Sequence, residues 1–165
     1  TGSADFSPRS MPAIGLFDVI EHIEDDQSFI SEMKELLIDG GKLYATVPAF
    51  QFLWSQEDIC AGHHRRYSLA QFERLFLDAG FNVRYKSYIF RPLPIPIFLF
   101  RALPQKIGLE KEVTLETAEN QHTSKGGRHS VVDYLFNREL KNIAVNKPMK
   151  FGATCMICVE KATEI

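Results

Sequence analysis

Residues 13–20, AIGLFDVI, form a short apolar run of the kind that makes a buried strand, and the polar EHIEDD beginning at Glu21 follows as a loop or helix entrance. From 28 to 39 the period changes. Phe29, Ile30, Met33, Leu36 and Leu37 recur at helical spacing, leaving Glu32, Lys34 and Glu35 for the solvent side. Gly40-Gly41 is expected to end this helix, because glycine enters the positive-φ region without a side-chain penalty. KLYATV at 42–47 then reads as a strand, closed by Pro48, which has no N–H to give to a sheet.

A second helix-to-strand passage follows the aromatic and charged loop 50–67. Ser68 is placed as an N-cap with Gln71 three residues on, and Leu69, Phe72, Leu75 and Phe76 supply an apolar stripe that stops at Gly80. NVRYKSY at 82–88 alternates as a strand. Two such passages predict an α/β fold with a mostly parallel sheet covered by helices, since each half-buried element must cover its apolar surface with another layer.

The rhythm breaks at 89–104, where Phe90, Ile95, Ile97, Phe98, Leu99 and Phe100 are interleaved with Pro92, Pro94, Pro96 and Pro104. That mixture predicts an irregular lid or partner surface, with simple core packing as the plainer use of the same side chains. Residues 110–129, ending in NQHTSKGGRH, read as a polar, glycine-containing lid or linker, so that 89–129 is an insertion within one domain spanning 1–165. Ser130 with Asp133 is expected to cap a last helix carrying Val132, Leu135, Phe136 and Leu140, and FGATCMICVEKA at 151–162 is expected to give the final strand.

Composition narrows the class without choosing a function. A chain of 165 residues that is 45% hydrophobic and 24% charged can build one core. Nineteen Lys and Arg against 21 Asp and Glu leave a formal charge of −2, which gives no global reason to expect nucleic acid as a partner. Cys60, Cys155 and Cys158 are too few for the disulfide framework of a small secreted domain, so a cytoplasmic setting is expected. The apolar stretch 92–103 is short and interrupted by three prolines and Arg101, so no transmembrane segment is expected.

The ordered combination VIEH, GGKL.ATVPA, Trp54, GHHRRYS and DAGF resembles the second half of a class I S-adenosylmethionine-dependent methyltransferase, closest to the Type 11/12 small-molecule pattern. The resemblance covers 13–88 and, more loosely, 130–162. It implies a Rossmann-like three-layer sandwich in which 13–17 is the fourth strand, 42–47 the fifth, 82–88 the sixth and 152–160 an antiparallel seventh. The family normally opens with a strand, a glycine-rich loop under the cofactor and an acidic residue on its ribose. None has a counterpart here, so the domain is expected to be incomplete at its N-terminal part.

The resemblance places Phe17, Asp18, Val19 and His22 on the cofactor, and Glu21 and His22 beside the acceptor. An imidazole near its usual pKa is suited to proton transfer, so His22 is the expected base or orienting residue, tuned by Glu21. Phe50, Trp54, His64, Arg65 and Tyr67 are the expected substrate-binding set, Arg65 offering a fork of donors to a carboxylate or phosphate. The plainer use of Arg65 is a salt bridge to Asp58 or Glu57. A related subset of methyltransferases holds a divalent metal on a carboxylate-x-x-Glu-His cluster plus a later histidine, which maps onto Asp18, Glu21, His22 and His64. The downstream part of that pattern is incomplete, and metal-free transfer from S-adenosylmethionine to a small-molecule acceptor, quinone-like or lipid-linked, is expected.

The alternative is a noncatalytic interaction domain whose 92–100 surface meets another chain, in a homo-oligomer or otherwise. Two further groups carry less. Cys155 and Cys158 stand three apart in a strand and so face opposite ways, which suits core packing better than a metal half-site. Lys125-Gly126-Gly127-Arg128 reads as an exposed loop.

Overall fold

The computed structural model describes residues 7–108 and 130–163, with side chains described from 134 in the second segment. Its strands are β1 (Met11–Phe17), β2 (Leu37–Pro48), β3 (Phe81–Ile89) and β4 (Thr154–Lys161). They form one mixed sheet in the order β1-β2-β4-β3, with β1 and β2 parallel and β4 antiparallel to both its neighbours. The first three strands therefore run the same way, and their carboxyl ends share one edge.

Helices α1 (Asp26–Leu36) and α3 (Leu69–Asp78) cover one face of this sheet, with the short α2 (Gln56–Cys60) between them in the chain. Alternation along β4 sends Cys155, Ile157 and Val159 into that core, where they meet Ile30, Phe72 and Phe76. Cys158 lies on the other face, as the three-residue spacing requires. A ladder of rings runs from Tyr67 through Phe72 and Phe76 to Phe81, at centroid spacings of 5.6, 5.2 and 5.8 Å.

The α3 start is as expected. The Ser68 hydroxyl accepts from Gln71 N at 3.2 Å, the Gln71 side chain accepts from Ser68 N at 2.9 Å, and the turn after the helix places Gly80 at φ +78°. The α1 end is not. The helix stops at Leu36, one turn before Gly40-Gly41, and Leu37 is already extended and paired with Met11. Buried Lys161 donates to the carbonyls of Lys34 and Leu37, each at 3.0 Å, supplying a cation and two hydrogen bonds where the helix ends. Gly40, at φ +73°, takes part in the register shift inside β2 instead of capping a helix.

The proline-rich segment is also more regular than its composition suggests. It forms consecutive helical turns, α4 (Pro94–Ile97), a π turn (Phe98–Ala102) and α5 (Leu103–Lys106). Pro94 opens the first of these turns, where a missing N–H breaks no helical bond. The expected lid at 110–129 lies outside the described residues. Helix α6 (Ser130–Ala144) begins at the expected residue, but the stripe is shifted: Leu140 is exposed while Glu139 is buried. The Glu139 carboxylate accepts from the backbone N–H groups of Phe90 and Arg91, at 2.8 and 2.6 Å, which draws it inward. Among the described residues no helix is long and apolar enough to cross a membrane.

Candidate functional site

Each of the three parallel strands is followed at its carboxyl end by a non-glycine residue in the left-handed region: Asp18 (φ +53°) after β1, Phe50 (φ +61°) after β2 and Phe90 (φ +60°) after β3. Such conformations are unfavourable for residues with a Cβ and concentrate at functional edges. Two of the three fall within the residue sets expected from the sequence. The turn at Asp18 is braced by its amide on Thr46 O and by the Thr46 hydroxyl donating to its carboxylate, both at 3.1 Å. Phe17 projects from the strand end, exposed, with its ring lying over Gly15. A Cβ on Gly15 would sit 2.9 Å from that ring.

Beyond Asp18 the chain makes a single 3₁₀ turn, Ile20–His22. Ile20 and Glu21 turn inward and His22 outward. Glu21 is 0% exposed, and neither carboxylate oxygen has a hydrogen-bond partner among the described residues. Burial, with a smaller push from Asp18, raises its carboxyl to about 7. An unpartnered buried carboxylate is expensive, and persists where something compensates elsewhere.

The loop 62–67 closes over this turn. Tyr67 N donates to Pro48 O at 3.0 Å and Phe50 N to Tyr67 O at 2.8 Å, laying the end of the loop alongside the carboxyl end of β2. His64 N donates to Glu21 O at 2.8 Å. His64 therefore contributes its backbone, and its ring is exposed. It is His63 whose ring turns inward, packing edge-on against His22 with centroids 4.7 Å apart. Glu21, His22 and His63 each offer a ligand atom within 4.8 Å of the others. Asp18 stands apart from this set, on Thr46. The set weighed as a metal alternative, Asp18, Glu21, His22 and His64, is not brought together; the geometry is corrected to Glu21 and His22 with His63.

The second correction concerns the arginines. Arg65 pairs with Asp26 at 2.9 Å and donates to Glu24 O at 2.6 Å, whereas Asp58 belongs to Arg66 at 2.8 Å and Glu57 to Arg101 at 2.5 Å. Asp58, 1% exposed, also accepts from Ser55 N and bonds His63 Nδ1 at 2.9 Å. Burial pushes the Asp58 carboxyl up, but the Arg66 and His63 interactions outweigh it and hold it below the usual carboxylate range. The Tyr67 hydroxyl donates to Asp26 at 2.7 Å, and burial together with that bond pushes its ionisation well up.

On the β2 side Phe50 is half-buried and stacks on Tyr88 and Phe52, at 4.8 and 5.3 Å. Trp54 is half-buried in the same loop. Sequence reasoning missed Asp26, named Asp58 only as a partner for Arg65, and chose His64 over His63. The signal available for them was the GHHRRYS string itself, but an irregular loop has no period to say which of two adjacent histidines or arginines points inward.

The chain is similar to known proteins in sequence pattern and in fold. A family model described as "Methyltransferase domain" matches residues 3–86, half of the chain. No curated protein matches. Among solved structures, a chain of the Haloferax volcanii Trm112 methyltransferase-activator complex superposes with a TM-score of 0.53 at 16% identity, over 99% of this chain and 59% of its own. A Haemonchus contortus phosphoethanolamine N-methyltransferase 2 bound to S-adenosyl-L-methionine gives 0.51 at 18%, over 96% of this chain and 35% of its own. The [4+2]-cyclase SpnF gives 0.52 at 14%, over 98% and 53%. These likenesses establish the Rossmann-like methyltransferase fold. The chain spans between about a third and three-fifths of these structures, and the cyclase shows that the fold alone does not specify the reaction.

Proposed function

Because the chain belongs to the methyltransferase domain family, we propose that it transfers a methyl group from S-adenosylmethionine to a nucleophilic atom of a small-molecule acceptor. The observation that carries this reading is the pairing, beyond the carboxyl end of β1, of an outward His22 with a buried Glu21 whose carboxylate has no partner among the described residues, a few positions after an exposed Phe17. The residues present fit one side of the cofactor. Phe17 offers a ring face, and Asp18 an exposed carboxylate with one oxygen free of any partner among the described residues. When bound, the sulfonium supplies an already activated methyl group, so the protein's task is alignment and exclusion of water.

His22 is the group placed to receive the proton that the acceptor loses as its bond to carbon forms. Glu21 sets the field around that imidazole. Arg65, braced by Asp26, shapes the far side of the loop, and Phe50, Phe52 and Phe98 offer aromatic surface suited to a quinone-like or lipid-linked acceptor. The same edge supports a second, metal-assisted reading. Two imidazoles and an orphaned carboxylate suit a divalent cation, which would lower the pKa of an acceptor hydroxyl, and Glu21, His22 and His63 would hold it. Full transfer activity after stringent chelation, without metal added back, removes that reading.

The main test is calorimetric titration of S-adenosylmethionine into the full natural chain, with labelled-methyl transfer to candidate acceptors. Saturable binding by the parent chain, with transfer lost in His22→Ala, is expected. Absence of cofactor binding would instead leave a noncatalytic interaction domain, for which the exposed Ile95, Leu99 and Phe100 offer an apolar surface.

A further inference from the structure

Behind the 62–67 loop lies a cavity of about 360 Å³ between the start of α1 and the start of α3. Its polar lining comprises Asp26, Gln51, Arg65, Arg66, Tyr67 and Gln71, and Leu75 supplies an apolar wall. We infer that this cavity is an anion subsite that takes the carboxylate or phosphate group of a small molecule. The inference deepens the proposed function by assigning the acceptor an anionic group.

The argument turns on which way two amides face. Gln51 Oε1 accepts from Arg66 N at 3.1 Å, and Gln71 Oε1 accepts from Ser68 N at 2.9 Å. A backbone N–H can only donate, so the atom facing it must be the carbonyl oxygen in both cases. The two –NH₂ groups then point away from these bonds, and neither has a hydrogen-bond partner among the described residues.

The guanidinium groups are fixed with donors to spare. Arg65 uses Nη1 on Asp26 and Nη2 on Glu24 O, and Arg66 uses Nε on Asp58 and Nη1 on Ala49 O. Each guanidinium carries five N–H groups, so both retain donors in rigid positions. Asp26 is the single acid of the lining, and its Oδ2 already accepts from Arg65 and from the Tyr67 hydroxyl. What remains for a ligand is predominantly N–H, with Asp26 Oδ1 the one carboxylate oxygen left open among the described residues. A group rich in acceptor oxygens answers that, and α3 adds the positive end of its backbone dipole from the Ser68 side. Only one residue separates His63, facing Glu21 and His22, from Arg65 on the cavity wall, so their Cα atoms lie within about 7 Å of each other. An acceptor anchored in the cavity by its anionic end can present a nucleophile near His22.

Side-chain amide resonances of Gln51 and Gln71 in the ¹⁵N-labelled chain, titrated with inorganic phosphate and separately with acetate against a chloride control, test this directly. Saturable shifts of both –NH₂ pairs are expected. Stronger binding of phosphate assigns a phosphate monoester, and stronger binding of acetate a carboxylate. Gln71→Glu and Gln51→Glu keep an oxygen for the backbone donor, and Glu serves the α3 capping box as well as Gln does, but each replaces –NH₂ with a negative oxygen. Each is expected to weaken anion binding at least tenfold, and either alone suffices if the other variant folds poorly. Resonances that ignore both anions, or variants that bind as the parent does, would overturn the subsite. Neither readout requires methyl transfer, so the subsite can stand while the proposed reaction fails, or fall while it holds.

Discussion

The Nδ1 atom of His63 lies 2.9 Å from Oδ1 of Asp58, a carboxylate that is itself buried and held ionised by Arg66. An ionised carboxylate can only accept, so Nδ1 carries the proton and the imidazole is locked in one tautomer. In the neutral imidazole the lone pair then sits on Nε2, the nitrogen turned away from Asp58. The pair thus converts a loop histidine into an oriented group beside His22.

Asp58→Asn is expected to destabilise the protein by about 3–5 kcal/mol, because it leaves the Arg66 guanidinium buried without its counter-charge. Urea denaturation measures this, and ¹⁵N shifts of the His63 ring report whether the Nδ1–H tautomer survives. A loss below about 1 kcal/mol would show that Arg66 reaches water or another acceptor.

Glu21 makes stability depend on pH in a defined direction. Its carboxyl is raised from 4.5 to about 7 in the folded chain, so between those values the folded state holds a proton that the unfolded state has lost. Its contribution is intact below about pH 4.5, falls as the pH rises through about 7, and is level above that. A shift of this size corresponds to about 3 kcal/mol at full development. In chelated buffer, Glu21→Gln is expected to flatten that part of the stability profile and to gain on the parent as the pH rises from 5 to about 8. Parallel profiles for the two proteins would refute the assignment.

The three thiols should differ sharply in reactivity. Cys60 is exposed, whereas burial pushes the Cys155 thiol up to about 12. In the native protein, alkylation followed by peptide mapping is expected to label Cys60 first and Cys155 only after unfolding. Prompt labelling of Cys155 would mean that β4 opens readily.

Gly152, two residues before β4, has no room for a side chain. A Cβ there would overlap the Ile89 carbonyl, with its carbon at 2.7 Å, and backbone atoms cannot rotate aside. Gly152→Ala is expected to lower stability by about 1–3 kcal/mol, the usual cost of overpacking, with the effect read in thermal unfolding. A neutral result would show that the β3–β4 junction shifts freely.

Much of the framework could be read locally. The Ser68/Gln71 cap, the Phe72–Phe76 stripe and the alternation of 154–161 are all properties of neighbours within one element, so periodicity and capping chemistry alone determined α3 and β4. The VIEH string likewise marked the turn on which Glu21 and His22 sit. What only the tertiary structure decided are relationships between distant segments. Lys161 ends α1 from more than a hundred residues away, Asp26 claims Arg65 and Tyr67 from across the core, and Glu139 is drawn inward by the amides of Phe90 and Arg91. The choice of His63 over His64, and of Arg66 over Arg65 for Asp58, is of the same kind. A loop residue's direction is set by whichever partner the folded core brings within hydrogen-bond reach, and that proximity is not encoded in the spacing along the chain.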